Sequence, residues 1–361
     1  MEFALDDESS PTPPRIAIID DNKFNLSVVG YILQPHYAFS LYTSGSEALE
    51  DMPKNMPDLI LLDIEMPEEN GFAVIRKIKD NPLLQDIPVI FLTGMDDARS
   101  EARGLALGAV DFISKDFVPE TILARINIHL VLQRHRKHLE DLVQEKTSMV
   151  EQLQDAIMLS LSDLVECRDA TTAGHAQRTI AYVRVLTRSM VAKGVYADQL
   201  TRENVRDILR AAPLHDVGKV GISDAVLEKP GKLTQEEFQQ MQQHTVLGSK
   251  AIQRAIDKIQ LPSFLNTVRD MTLTHHERWD GKGYPLGLRE EQIPLAGRIM
   301  AIADVYDALV SQRPYKKPFS HEKAVDIIRE GRGTQFDPHI ADVFLEIHEK
   351  FAEIAASTSY D

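Results

Sequence analysis

Apolar positions along this chain change their period twice. From Arg15 to about Phe117, short runs apolar at consecutive positions alternate with amphipathic stretches of helical period; the runs are Ile16-Ala17-Ile18-Ile19, Leu59-Ile60-Leu61-Leu62 and Val89-Ile90-Phe91-Leu92. Consecutive apolar residues suit strands buried on both faces, as in a parallel sheet covered by helices. A further short strand is expected at Val110 to Ile113. From about Pro119 to Arg168 the period is helical, with no glycine or proline after the start. Leu132, Leu139, Leu142, Met149 and Leu153 fall there close to a heptad seam, with His135 and Lys146 on the same stripe. Two readings stay open for this helix: pairing with its twin in a homodimer, or packing of the stripe on its own domains. Beyond about Glu166 the pattern is nearly all helix, including Ala176 to Val191, Thr234 to Ile259 and His321 to Glu330, with apolar residues at helical spacing supplying a core. Residues 1–14, ending in Pro11-Thr12-Pro13-Pro14, read as a disordered leader. The pattern thus predicts two domains, a doubly wound α/β unit and an all-α unit, joined by a long helix. No internal repeat or low-complexity tract is visible.

Composition narrows the function classes. At 361 residues the chain is long enough for two domains. It carries 40 basic and 55 acidic side chains, a formal charge of -15. Such an acidic chain is poorly suited to gripping a nucleic-acid backbone, which needs Lys and Arg, although metals could still hold a small nucleotide. The one cysteine, Cys167, has no internal disulfide partner and reads as a small buried apolar residue. Neither a signal peptide nor an apolar stretch of membrane-spanning length is visible, so no membrane association and a cytoplasmic location are expected.

Polar residues sit where the strands end: Asp20-Asp21, Asp63 and Thr93, with Lys115 after the fourth run. Ligands of an open α/β sheet bind at the carboxyl ends of its strands. Any one of these acids alone would pass for a helix cap or a turn residue. Clustered carboxylates repel one another and favour a bound divalent cation, which could bring a phosphoryl donor to one of them. With Met66-Pro67 and Gly71 following Asp63, residues 15–130 resemble a response-regulator receiver domain of flavodoxin-like fold. The resemblance implies phosphorylation of Asp63 by a sensor histidine kinase, Mg²⁺ held by Asp20, Asp21 and Asp63, and a switch formed by Thr93, Phe112 and Lys115. Two residues depart from the pattern: Asp116 stands where receivers usually carry proline, and Phe112 is a switch aromatic without a hydroxyl.

The second half carries the histidines. His275-His276 leads directly into Glu277-Arg278-Trp279-Asp280-Gly281-Lys282-Gly283-Tyr284-Pro285, and a His215-Asp216 pair lies upstream in Leu214 to Lys219. Neighbouring side chains on a helix diverge by about 100°, so neither pair is expected to aim both members at a single point. With His175, His244 and Asp304 these make seven candidate ligands, too many for one tetrahedral zinc. Mixed imidazole and carboxylate ligation suits two six-coordinate ions, with Fe or Mn favoured and Ni, Co or Zn compatible. Asp216 could bridge them at the roughly 3.5–4 Å spacing of two-metal hydrolases, and phosphate-ester hydrolysis follows, with Lys219 neutralising charge or assisting the leaving oxygen. Asp307, one turn after Asp304, could orient Lys219 or a ligand histidine. Arg313-Pro314-Tyr315-Lys316 offers a guanidinium fork and a point charge suited to phosphate and guanine edges. His321, His339 and His348 read as ordinary histidines.

These motifs, with Lys229-Pro230-Gly231-Lys232-Leu233 before His244 and Gly333-Thr334-Gln335-Phe336-Asp337-Pro338, resemble the HD-GYP branch of the HD-type metal-dependent phosphohydrolases. The limits expected are 131–165 for the linker helix and 166–356 for the all-α phosphohydrolase domain. The resemblance implies hydrolysis of cyclic di-GMP to linear pGpG, with onward cleavage to GMP left open, and substrate contacts from Gly283, Tyr284, Arg313 and Lys316. Diguanylate cyclase (GGDEF) proteins are added as partners. Some members carry a glutamate four residues before the first histidine ligand; here it is Thr171, which favours two metals over three. Two alternatives remain: a catalytically weak module that binds cyclic di-GMP or metal and acts through protein partners, and a hydrolase of another cyclic dinucleotide or phosphate ester.

Overall fold

The computed structural model of the chain describes residues 13–67, 69–94, 98–168, 174–259, 264–312 and 317–357. They divide into two compact units, Met1–Thr147 and Ser148–Asp361. In the first unit the order is β1 (Arg15–Ile19), α1 (Lys23–Leu33), β2 (Ala38–Tyr42), α2 (Gly45–Asp51), β3 (Leu59–Asp63), α3 (Gly71–Asp80), β4 (Val89–Thr93), α4 (Ala98–Ala106) and β5 (Asp111–Ser114). The strands form one parallel sheet in the order β2-β1-β3-β4-β5. Side chains alternate across it. Ile16, Ile18, Leu59, Leu61, Ile90 and Leu92 pack against α1 and the start of the next helix, while Ala17, Ile19, Ile60, Leu62, Val89 and Phe91 pack against α2 and α3. This is the doubly wound, flavodoxin-like arrangement expected.

Three strands begin or end within a residue of the apolar runs, and the fourth is Asp111–Ser114 rather than Val110 to Ile113. β2 was not foreseen. Its residues, Ala-Phe-Ser-Leu-Tyr, lie at the sheet edge and are mostly half-buried, so no continuous apolar run marks it.

Helix α5 spans Pro119–Arg168 as a single element, as its unbroken period requires. Its early residues Ile122, Ile126 and Leu130 belong to the core of the first unit. In the second unit, Met158, Ser162 and Val165 are buried, and Glu151 and Asp155 pair with Arg206 and Arg210 at 3.4 and 3.1 Å. The stripe read from the sequence lies elsewhere: Leu132, Leu139, Leu142, Met149 and Leu153 are all exposed. Cys167 is likewise exposed, because it follows the buried Val165 by two positions and is turned off the packed face.

The second unit continues with α6 (His175–Lys193), α7 (Arg202–Ala211), α8 (Asp224–Leu227), α9 (Gln235–Ile259), α10 (Leu265–Thr274), α11 (Leu295–Val310), α12 (His321–Glu330) and α13 (Pro338–Ser357), with 3-10 turns at Ala212–Leu214 and Val217–Gly221. Its core gathers α6, α11 and α13, with Tyr182 stacked on Phe351 at 4.7 Å and Tyr306 edge-on to both. Among the described residues no helix is long and apolar enough to cross a membrane.

Candidate metal centre and acidic receiver pocket

In the first unit the acids converge where the strands end. Asp20 and Asp63 are buried and Asp21 is exposed, and oxygens of the three lie close enough to hold one cation. Asp20 accepts from the Asn22 backbone N–H at 2.8 Å and from Asn25 Nδ2 at 3.0 Å. Lys115 Nζ lies 2.7 Å from Asp63 Oδ1 and 3.4 Å from Asp20 Oδ2. Its backbone N–H donates to Thr93 O at 2.8 Å, so the chain after β5 is anchored despite Asp116. Burial pushes the Asp63 carboxyl up against the pull of Lys115, and Asp63 Oδ2 is buried without a hydrogen-bond donor. An uncompensated carboxylate oxygen beside two further acids fits a hard divalent cation such as Mg²⁺. Phe112 stacks on Phe91, centroids 5.6 Å apart, and stands over Gly104, where a Cβ would come within 2.7 Å of its ring.

The candidate ligands of the second unit come from α6, α9, the end of α10, α11 and the junction of the two 3-10 turns. His175 opens α6, His244 lies on α9, and His275 caps α10. Asp304 and Asp307 lie on α11, while His215 and Asp216 join the two 3-10 turns. The turns lie against α9 because Gly218 has no side chain: a Cβ there would sit 1.8 Å from the His244 carbonyl oxygen.

The ring nitrogens divide by role. Nδ1 of His215 donates to Ala212 O at 2.8 Å, that of His244 to Met241 O at 2.7 Å, and that of His275 to Met271 O and Thr272 O at 3.1 Å. A proton on Nδ1 leaves the lone pair of a neutral ring on Nε2. Burial drives the pKa of His215 and of His244 down to about 4, which keeps them neutral. His175 Nδ1 meets Asp307 Oδ2 at 2.7 Å; burial opposes its charge, but Asp307 and Asp304 outweigh burial and raise its pKa.

The Nε2 atoms face one another, 3.3 Å apart for His175 and His215 and 3.5 Å for His244 and His275. Between the pairs stands Asp216. Its Oδ1 lies 3.3 Å from His244 Nε2 and 3.7 Å from His275 Nε2, and its Oδ2 lies 3.5 Å from His215 Nε2 and 2.8 Å from Lys219 Nζ. Asp304 Oδ1 lies 3.5 Å from His175 Nε2. Burial works to raise the Asp216 pKa, but Lys219 and the imidazoles hold it well below the usual carboxylate range. Oδ1 is nonetheless buried without a hydrogen-bond donor. A cation between these facing nitrogens and carboxylate oxygens would satisfy them together, and the mixture of imidazole and carboxylate fits divalent transition metals.

One expectation is corrected here. His215 and Asp216 both reach one cluster with His175, and His275 and His276 share another with Asp216 and His244, their ring centroids 4.1 Å apart. Helix α10 ends at Thr274, so the two histidines lie in a turn and escape the helical divergence. Of the partners considered for Asp307, the structure shows His175. The same carboxylate accepts from Arg178 Nε at 2.7 Å, and with both partners its pKa falls to about 2 against the opposing effect of burial. Thr171, Arg313 and Lys316 lie outside the described residues.

Beside His276 opens a cleft of about 290 Å³ lined by Tyr284, Gly283, Phe238, Gln242, Lys282 and Gln335. The Tyr284 ring lies 4.8 Å from that of His276. The loop returns there because Gly283 passes the backbone of Glu277 and Arg278, where a Cβ would approach to 2.4 Å. Sequence reading missed three residues that hold this machinery. Glu277 is buried and accepts backbone N–H groups of Leu286, Gly287 and Leu288 at 2.7–3.1 Å, folding the loop around its carboxylate. Arg178 pins Asp307, and Glu166 accepts from the Ala176 N–H at the start of α6. An acid just after the histidine pair was the available signal for Glu277; nothing local marks the others. His321 and His348, read as ordinary, form a hydrogen-bonded chain with Tyr306 at 2.8 and 2.9 Å.

Comparison with known proteins agrees with both halves. The family profile for the response regulator receiver domain matches residues 16–127, and that for the HD domain matches residues 159–340. A probable cyclic di-GMP phosphodiesterase of Vibrio cholerae is 42% identical over 364 residues, covering 98% of this chain and 82% of that one. The cyclic di-GMP phosphodiesterase response regulator RpfG of Xanthomonas campestris pv. campestris is 34% identical, covering 96% and 90%. A 3'3'-cGAMP-specific phosphodiesterase 2 of Vibrio cholerae is 37% identical over 201 residues, 56% of this chain and 36% of that one. The chain therefore belongs to the receiver–HD-GYP response regulators, the family of the full-length relatives named cyclic di-GMP phosphodiesterases.

Proposed function

We propose that this chain hydrolyses cyclic di-GMP to linear pGpG at a two-metal site, under the control of phosphorylation at Asp63 by a sensor histidine kinase. The observation that carries the reading is the pair of facing Nε2 sets on opposite oxygens of Asp216. One ion would take His175, His215, Asp216 Oδ2 and Asp304; the other would take Asp216 Oδ1, His244, His275 and His276. Iron or manganese suits this set best. When bound, such a pair lowers the pKa of water and polarises the phosphodiester.

The protein's own groups do the rest. Water adds to phosphorus and the bond to the 3′-oxygen breaks, leaving a 5′-phosphate and a 3′-hydroxyl. Lys219, 2.8 Å from Asp216 Oδ2, is placed to neutralise phosphoryl charge and to give a proton to the departing 3′-oxygen. Asp307 fixes the ring of His175, so that Nε2 points inward. Gly283 and Tyr284 line the cleft that would seat a guanosine half, and Arg313 and Lys316 are proposed to grip its phosphate. The test is incubation of iron- and manganese-loaded protein with cyclic di-GMP and, in parallel, 3'3'-cGAMP, followed by chromatography. Conversion of cyclic di-GMP to pGpG is expected at the higher rate. Faster cleavage of the mixed dinucleotide reassigns the substrate, and unchanged dinucleotide across all loadings leaves only a binding module.

For control, Asp63 is the carboxylate nearer Lys115, at 2.7 Å against 3.4 Å for Asp20, and would share a Mg²⁺ with Asp20 and Asp21. Phosphorylation there would draw on Thr93 and Phe112. A small-molecule phosphodonor is expected to change the phosphodiesterase rate of the wild type and to leave Asp63→Asn unaffected. A wild type that ignores the donor as the variant does would show that the two activities are uncoupled.

A further inference from the structure

Helix α5 carries an open apolar face different from the seam read from the sequence. Leu139, Val143, Val150, Leu153, Ile157 and Leu164 are each half-exposed or more, from 50% to 65%. With Lys146 and Ser160 they fall at alternating spacings of four and three from Leu139 to Leu164. In heptad terms Val143, Val150, Ile157 and Leu164 take position a, and Leu139, Lys146, Leu153 and Ser160 take position d. Glu151, Asp155, Met158, Ser162 and Val165, which hold the helix to the second unit, take the outer positions b and f. The helix therefore docks by one face, and among the described residues the a/d face stays exposed.

We propose that a second copy of this chain covers that face, the two α5 helices forming a parallel two-stranded coiled coil from Leu139 to Leu164. Three features select this occupant. The repeat persists for more than three heptads, and a strip of period 3.5 is complementary to another such strip rather than to a globular surface. Branched residues at three of the four a positions, Val143, Val150 and Ile157, with Leu139 and Leu153 at two of the four d positions, favour two parallel strands. The g-to-e′ neighbours in that arrangement are Leu142 with Thr147, Met149 with Gln154 and Ala156 with Leu161, none of them a like-charge pair. Leu142, Met149 and Leu161 thus widen the buried strip, which places two residues of the sequence-derived seam at its flank. Lys146 and Ser160 weaken the seam at two d positions and fix its register, the Lys146 ammonium turning out toward Glu145 at 3.3 Å. This pairing does not depend on the proposed catalytic activity.

The test uses the full chain in two ways. Light scattering should give twice the 40.6 kDa chain mass, and Val150→Asp combined with Ile157→Asp should return it to the single-chain mass with the helical content of the two units kept. For register, Cys167 is replaced by Ser because it is exposed, and single cysteines are placed at Ile157, Ala156 and Leu159. Ile157→Cys should form a disulfide-linked dimer roughly tenfold faster than the other two, since of these three positions only the a position lies in the seam, where facing Cβ atoms approach bonding range. A single-chain mass for the wild type overturns the pairing. Faster cross-linking through Ala156→Cys or Leu159→Cys, or none through Ile157→Cys in a dimer, overturns the parallel register.

Discussion

Asp216→Ala is expected to lose bound transition metal and phosphodiesterase activity together. Metal per chain should fall from about two ions to fewer than one, and kcat/KM by at least roughly 10³-fold, because in the proposed two-metal site the carboxylate would serve both halves. The geometry gives the reason. Asp216 is the group whose two oxygens each meet a different set of imidazole nitrogens. Removing it would take a ligand from both proposed ions, and with it the carboxylate oxygen that lies 2.8 Å from Lys219 Nζ. His215→Ala should give a similar loss of activity with a smaller loss of metal, since His244, His275 and His276 keep their places. Asp307→Asn touches no ion and acts through the ring of His175, so metal affinity should fall only about 10–100-fold. Metal analysis of anaerobically purified protein beside turnover on cyclic di-GMP separates the three. Full metal content in Asp216→Ala would remove that residue from the ligand set.

The legible parts of this molecule were those in which one residue type has one physical reading. Ile16 to Ile19 and Leu59 to Leu62 announce buried parallel strands because no other element needs consecutive branched apolar residues, and the acids that follow them therefore fell at one edge. β2 escaped because Ala38 to Tyr42 is an edge strand with partial exposure and a serine at its centre. The site was legible as a list and not as a geometry. Local sequence picked out the candidate ligands, but whether His275 and His276 can face one point depends on where α10 stops, and that is set by the turn after Thr274. Glu277 and Arg178 act across 10 and 129 positions of chain, distances at which no periodicity carries information, whereas Asp307 was marked by its one-turn spacing from Asp304 although its partner His175 lies 132 positions away. On α5 the apolar residues were dense enough to support two overlapping seams. Burial of the b and f positions against the second unit was needed to choose between them.

Asp337→Ala is expected to be the most destabilising single change in the second unit, by about 3–5 kcal/mol, the usual consequence of leaving one member of a buried ion pair alone. Asp337 and Arg298 are almost fully buried and meet at 2.7 Å. The Asp337 carboxylate also accepts from Tyr196 Oη at 2.8 Å and, through Oδ1, from the backbone N–H of His339 at 2.8 Å at the start of α13. Arg298 donates to Ile293 O, and its guanidinium lies over the rings of Tyr196 and Trp279 at 4.8 and 5.9 Å. The alanine variant would therefore strand a guanidinium in the interior and uncap α13. A Tyr196→Phe control, which removes one hydrogen bond and keeps the ring, should cost only about 1 kcal/mol. Trp279 is the only tryptophan, and its backbone N–H donates to Gln335 O at 3.2 Å, so its fluorescence reports this junction directly. The expected reading is a thermal transition of Trp279 lowered by roughly 6–20 °C in Asp337→Ala, from 2–4 °C per kcal/mol for a unit of this size. An unmoved transition would mean that Arg298 finds solvent or another acid when Asp337 is gone. The loop bearing Gly283 and Tyr284 would then owe its position to the Glu277 clasp rather than to this pair.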